Sequence, residues 1–294
     1  MARILCFFST LFDVKVDVGD TLNEKLVHTA CAALLDFGDS GTQILTEAID
    51  VICNASIVMS SNAFYQIMII NDYVPLIVKY MASENADVRQ GVVGIVSNLM
   101  VGQDDIDVTS VMRSSVFNHV SHLLMTDEQT ISHVAWMTSN AVAGTESMAN
   151  IVFDHNLLPL VVSLLQSWCS KAVVGSLRVI INLVGYLSDE QKWRLLEHDK
   201  HGMLSAALPL LSSELSKPTP SEEIVFTLCN IFVDILEFIW KSKERDVSDL
   251  HVMFKDEMKK DVYSQLDEDS DYHYGIDRVV SLLEEKDIED MEDL

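Results

Sequence analysis

Five asparagines recur along the chain, each inside an aliphatic run: Asn54 in DVICNASIV, Asn98 in GIVSNLMVG, Asn140 in AWMTSNAVAG, Asn182 in RVIINLVGYL and Asn230 in FTLCNIFVD. Their spacings are 44, 42, 42 and 48 residues. An asparagine side chain both donates and accepts hydrogen bonds, so it matches one peptide unit of an extended chain. A row of such amides, one per structural unit, would hold a peptide main chain whatever its sequence. Trp136 stands four residues before Asn140 and shares its helix face. An indole there can pack the aliphatic stem of a lysine or arginine and attract its charge through the ring face. Carboxylates would complete a pocket for a basic side chain, with GQDD at 102–105 as one source. The alternative is that the amides tie the backbones of adjacent units together and Trp136 fills core. Trp168, Trp193 and Trp240 have no asparagine partner one turn on and read as core or capping residues.

Other residue types carry less. His119/His122 and His198/His201 have a spacing of three, but no HExxH base or cysteine pair accompanies them, so no metal and no cofactor is expected. FGDSG at 37–41 is neither a phosphate loop nor a nucleophile elbow, and the chain reads as non-enzymatic. The five cysteines form no CxxC pair and read as reduced thiols.

The elements that must position these residues repeat with them. YVPLIVKYM, LLPLVVSLL and ALPLLSSEL place Pro75, Pro159 and Pro209 at 23, 23 and 21 residues before the next asparagine. VFNHVSHLL fills the same slot before Asn140 without a proline. Proline suits the first turn of a helix, where its missing N–H costs nothing. Gly102 and Gly144, four residues past an asparagine, read as helix stops. Each unit is therefore a short helix, a proline-led helix and a longer asparagine-bearing helix. A period of about 42 residues belongs to the armadillo/HEAT class of α-solenoids. Residues 1–41 read as an irregular segment ending in a capping helix at 24–37, and 42–240 as the repeats. Residues 241–274 read as a charged linker, and 275–294 as a helix with an acidic tail carrying Ile276, Val279, Val280 and Leu283 on one face.

The formal net charge of −25 argues against nucleic acid and favours basic partners. Residues 256–294 alone carry 15 acidic and 4 basic side chains. No apolar run is long enough for a membrane span, and MARILCFFSTLF lacks a convincing signal-cleavage site.

With its W-x-x-x-N motif in AWMTSNAVAG, the chain resembles importin α (karyopherin α), the armadillo-repeat adaptor for nuclear localisation signals. LRVIINLVGYLSDEQ looks like the repeat in which that family has Arg in place of Trp, pairing Arg178 with Asn182. The resemblance covers about residues 42–285 as repeats, with specific motifs only over 134–240. It implies an all-α, right-handed armadillo-type solenoid of about five to six repeats. Trp136, Asn140, Asn98, Asn182, Arg178 and Asn230 would line a concave groove for a basic linear peptide or cargo protein. It also implies a place in the cytoplasm and nucleus and an export-receptor contact through the acidic end. The chain departs from the family pattern in three ways. The tryptophan slot is Asp50, Gly94, Arg178 and Phe226 in the other units. The family's run of repeats is about twice as long. Residues 1–60 hold only Arg3, Lys15 and Lys25, so importin β is not an expected partner. An armadillo scaffold that has lost localisation-signal binding is the competing expectation.

Overall fold

The computed structural model describes residues 20–37, 42–101, 111, 115–197, 202–241, 248–258 and 273–292. Every regular element among them is helical. The chain divides into two compact units, Met1–Leu157 and Leu158–Leu294.

Unit 1 is built on four long helices in series. They are α1 (Asp20–Phe37), α2 (Thr42–Val58), α5 (Ala86–Met100) and α7 (Glu128–Val142), with α1 packed on α2, α2 on α5 and α5 on α7. Shorter helices complete the repeats: α3 (Ser61–Ile70), α4 (Tyr73–Val78) running into a 3-10 turn at Lys79–Ala82, α6 (Phe117–Leu123), α8 (Glu146–Ala149) and α9 (Ile151–Asp154). The sequence starts these helices with side-chain caps, which satisfy amides that have no partner within the helix. Ser60 accepts from the Ala63 N–H, Asn85 from Asp87, Asp127 from Thr130 and Thr145 from Met148. Gly144, just past α7, has φ 134° and ends the helix as expected.

A further repeat marker lies at the start of the middle helix. Asp72, Ser115 and Asn156 have φ of 54°, 71° and 51°, the only positive values outside glycine among the described residues. Each lies three residues before the proline slot occupied by Pro75, Asn118 and Pro159. Short polar side chains tolerate this left-handed turn, which lets the chain reverse between two helices. In the last copy the turn is missing. Ala206 stands three residues before Pro209 and is helical, so Pro209 falls inside a continuous helix, Met203–Leu215, instead of leading one.

Unit 2 contains α10 (Leu158–Ser163, followed by a 3-10 turn), α11 (Ser170–Tyr186), α12 (Asp189–Glu197), α13 (Met203–Leu215), α14 (Glu222–Lys241), α15 (Ser248–Met258) and α16 (His273–Glu292). The long helices again stack, α11 on α14 and α14 on α16. Buried Glu214 accepts from the Ser221 N–H at 2.8 Å just before α14 and pairs with Lys217. Within the expected linker over 241–274, residues 248–258 instead form helix α15, while 242–247 and 259–272 lie outside the described residues. Phe254 of α15 is fully buried and meets Phe232 of α14 edge-on at 5.4 Å. One apolar side chain per turn outweighs the surrounding charge, because only one face of a helix needs to be apolar to dock. In α16, Ile276, Val279, Leu282 and Leu283 are buried, while Val280 is only half-buried.

Among the described residues no single helix is long and apolar enough to cross a membrane.

Candidate functional site

The asparagines hold one structural position. Asn54, Asn98, Asn140 and Asn182 are each the thirteenth residue of their helix (α2, α5, α7 and α11), and Asn230 is the ninth residue of α14. All five are half-buried. In unit 1 two of them reach back to the preceding repeat. Asn98 Nδ2 donates to Ser56 Oγ at 2.7 Å, and Asn140 Nδ2 donates to Ser97 Oγ at 3.1 Å. Each bond uses one of two amide hydrogens and leaves the capacity of the carbonyl oxygen. Each of these two amides braces neighbouring helices from a position that is not sealed.

One turn before these amides, on the same face, stand Asp50, Gly94 and Trp136. A cavity of about 570 Å³ opens along this row. Helix α2 contributes Thr46, Asp50 and Cys53 to its wall, α5 contributes Asp87, Gln90, Gly94 and Asn98, and α7 contributes His133 and Trp136. Trp136 is 45 % exposed, so it is not core. No lysine or arginine lines the cavity among the described residues, whereas two carboxylates and an indole do. Burial, aided by the charge of Asp50, pushes the Cys53 thiol up to about 11, so Cys53 offers a neutral S–H and not a nucleophile.

Asn140 belongs to the ladder but is not part of the cavity wall. Asp87 is part of it and was missed by the sequence reading, which looked to GQDD for the carboxylate; 102–105 lies outside the described residues. The signal was present. Asp87, Gly91, Gly94 and Asn98 follow one helix face at intervals of four, three and four.

Two glycines on that face have different reasons. A Cβ on Gly91 would lie 2.5 Å from Ile49 Cγ2, so glycine here lets α5 approach α2. A Cβ on Gly94 would meet only Cys53 Sγ, at an ordinary 3.4 Å.

The row is held from one end. Arg89 of α5, with a side chain only 13 % exposed, donates to the Ser83 and Glu84 carbonyls and pairs with Asp127 at 2.8 Å. Asp127 also takes the Thr130 N–H and hydroxyl. Desolvation alone would raise the Asp127 carboxyl; the Thr130 and Arg89 hydrogen bonds outweigh it and hold the group well below the usual carboxylate range. This joins α5 to the first turn of α7 and so orients the helix that carries Trp136.

Unit 2 fills the equivalent positions differently. Arg178 of α11 donates to Glu223 of α14 at 2.5 Å, and Phe226 is 61 % exposed. Asn182 and Asn230 occupy their ladder places there. Of the remaining tryptophans, all expected to be core or capping residues, Trp193 is buried against Phe238 at 5.0 Å, Trp240 is half-buried, and Trp168 is 83 % exposed and so is not core. It lies in the short connection before α11, where no helix covers it. No group of three or more histidine, cysteine or acidic side chains that could hold a metal ion occurs among the described residues. His198 and His201 lie outside them.

No protein-family model and no curated protein matches the chain. Solved structures do. The designed armadillo repeat protein YIII(Dq)4CqI is 17% identical, covering 87% of this chain and 98% of its own, with a TM-score of 0.65. The designed armadillo repeat protein YIII(Dq.V1)4CPAF in complex with peptide (KR)4 is 18% identical, with coverage of 79% and 91% and a TM-score of 0.64. Computationally designed armadillo repeat proteins for modular peptide recognition give 18%, 78%, 91% and 0.65 in the same order. At these identities the likeness concerns the fold. Together with the three-helix repeats described above, it shows that the chain is an all-α, armadillo-type solenoid.

Proposed function

We propose that this protein is a non-enzymatic, importin-α-like adaptor whose unit 1 binds an extended basic segment of a partner across α2, α5 and α7. The observation that carries this reading is the cavity lined by Trp136, Asp50, Asp87 and Asn98, with no lysine or arginine in its wall among the described residues. An extended peptide advances about 3.3 Å per residue, so about three residues span one helix diameter of roughly 10 Å. The spare carbonyls of Asn98 and Asn140 suit its N–H groups, and Trp136 with the two carboxylates suits a lysine or arginine. The chain's net charge of −25 speeds the approach of such a segment. A structural neighbour was solved with the peptide (KR)4, which is consistent with this choice of ligand.

In this reading the cargo is a protein with a localisation-signal-type basic stretch, carried between cytoplasm and nucleus. The acidic end that includes α16 is then the surface for an export receptor. Unit 2 supports a second reading, a protein-interaction scaffold without localisation-signal binding, because Arg178 is already paired with Glu223 and Phe226 stands where the family has tryptophan.

Titrating a fluorescent lysine-rich peptide into wild type and into Trp136→Ala/Asn140→Ala separates the two. Salt-sensitive binding that the folded double variant loses is expected; equal binding by both proteins removes the adaptor reading.

A further inference from the structure

The middle position of the Asp50–Gly94–Trp136 row has no side chain, and nothing in the packing requires that. Gly91, one turn earlier, is held to glycine by Ile49 at 2.5 Å, but the nearest atom to a Cβ on Gly94 is Cys53 Sγ at 3.4 Å. Glycine inside a helix costs up to about 1 kcal/mol relative to alanine. At Gly94 that cost has no return in helix contacts; what the missing side chain leaves is open cavity between α2 and α7. The cavity's size of about 570 Å³ lies within the range of about 300–1,000 Å³ usual for ligand sites.

We infer that Gly94 is a specificity-determining residue that makes this compartment select arginine over lysine in the bound segment. The inference rests on the peptide-binding reading above. A lysine stem gains most in a narrow slot with apolar walls on both sides, because its charge is a compact point on a flexible chain. With Gly94 in the middle, only Trp136 provides a broad aromatic wall. A guanidinium needs one such wall, since it stacks flat on an indole. Its five N–H donors form a rigid fork that serves acceptors lying on different helices. Asp50 on α2 and Asp87 on α5 are such a pair, with Thr46 and Gln90 adding neutral acceptors on the same two helices. An ammonium group has no fixed fork with which to bridge them.

The test uses two fluorescein-labelled peptides identical except that every basic residue is arginine in one and lysine in the other. They are titrated into the full chain as wild type and Gly94→Trp, with thermal melts to verify folding. Wild type is expected to bind the arginine peptide about fivefold or more tighter. Gly94→Trp, which closes the compartment to a slot, is expected to erase that preference. Equal affinity of wild type for both peptides, or tighter binding of lysine, overturns this inference and leaves peptide binding standing. A preference unchanged in a folded Gly94→Trp overturns it too. Failure of wild type to bind either peptide overturns the peptide-binding reading itself, and this inference with it.

Discussion

The two units are written in one repeat grammar and end with opposite surfaces. In unit 1 the row before the asparagines is Asp50, Gly94 and Trp136, around an acidic cavity with an aromatic wall. In unit 2 it is Arg178, ion-paired to Glu223, and the exposed Phe226. At Asn230 the ladder differs as well. Asn98 and Asn140 find hydroxyls in the preceding repeat, at Ser56 and Ser97. The positions before Asn230 that would correspond to these serines are Val184 and Ile181, neither of which can accept a hydrogen bond. Stacking sets where a helix position points. It leaves the chemistry at that position free, because a solvent-facing residue contributes little to the repeat interface. One architecture thus carries an acidic cavity with an aromatic wall in one half and a surface of another kind in the other.

Removing the indole should break the contrast most sharply. Trp136→Ala is expected to weaken binding of a basic peptide by about 2 kcal/mol, about thirtyfold, as for a central aromatic contact. Phe226→Ala should change it less than about twofold. Fluorescence anisotropy at two salt concentrations reads both, and an equal loss would show that the units share one ligand surface.

The glycines sharpen the contrast between packing and site. Gly91→Ala should lower unfolding stability by about 1–3 kcal/mol through the clash with Ile49. Gly94→Ala should be neutral or stabilising by up to about 1 kcal/mol. Urea titrations of the two variants decide this, and a comparable cost at both would mean that Gly94 is also a packing residue.

Asp127 tests whether unit 1 is held in register by its own latch. Asp127→Asn keeps a capping oxygen for the Thr130 N–H but takes the counter-ion from the largely buried Arg89, and should cost about 1–3 kcal/mol. Its folded carboxyl lies below its ordinary value of 3.8, so its contribution is present above that value and is lost as pH falls through the lower folded value. Wild-type stability should therefore drop more steeply than that of Asp127→Asn as pH falls below about 4. Parallel acid limbs in denaturant melts would contradict this.

The smallest effect concerns the ladder. Ser97→Ala removes the acceptor of Asn140 and should cost about 0.5–1.5 kcal/mol, whereas Val184→Ser in unit 2 gains no such bond unless Asn230 reaches it. Comparing their melting temperatures measures what a hydroxyl in the ladder contributes at Asn140 and at Asn230.

The repeats were legible because they rest on periodic features. An aliphatic stripe, a cap and a proline act within one or two turns of helix, so asparagines 42 to 48 residues apart marked the long helices before any contact was known. The left-handed residues Asp72, Ser115 and Asn156 were also there to be read, as short polar residues three places before the proline slot. The misreadings arose where packing overrode local pattern. Charge made 241–274 look like a linker, although burial of Phe254 on Phe232 is enough to dock a helix there. Pro209 looked like a helix start, although Ala206 carries the preceding turn into the same helix.

By itself, then, the sequence determined the helices, their order and the recurrence of one amide per repeat, since propensity, capping and hydrophobic period are properties of neighbouring residues. Only the tertiary structure decided which carboxylates meet Trp136, that Gly94 opens a cavity while Gly91 closes a helix contact, and that Asn98 and Asn140 brace their neighbours. Those relations join residues forty or more positions apart, and only the packing of helices on one another sets the distances between them.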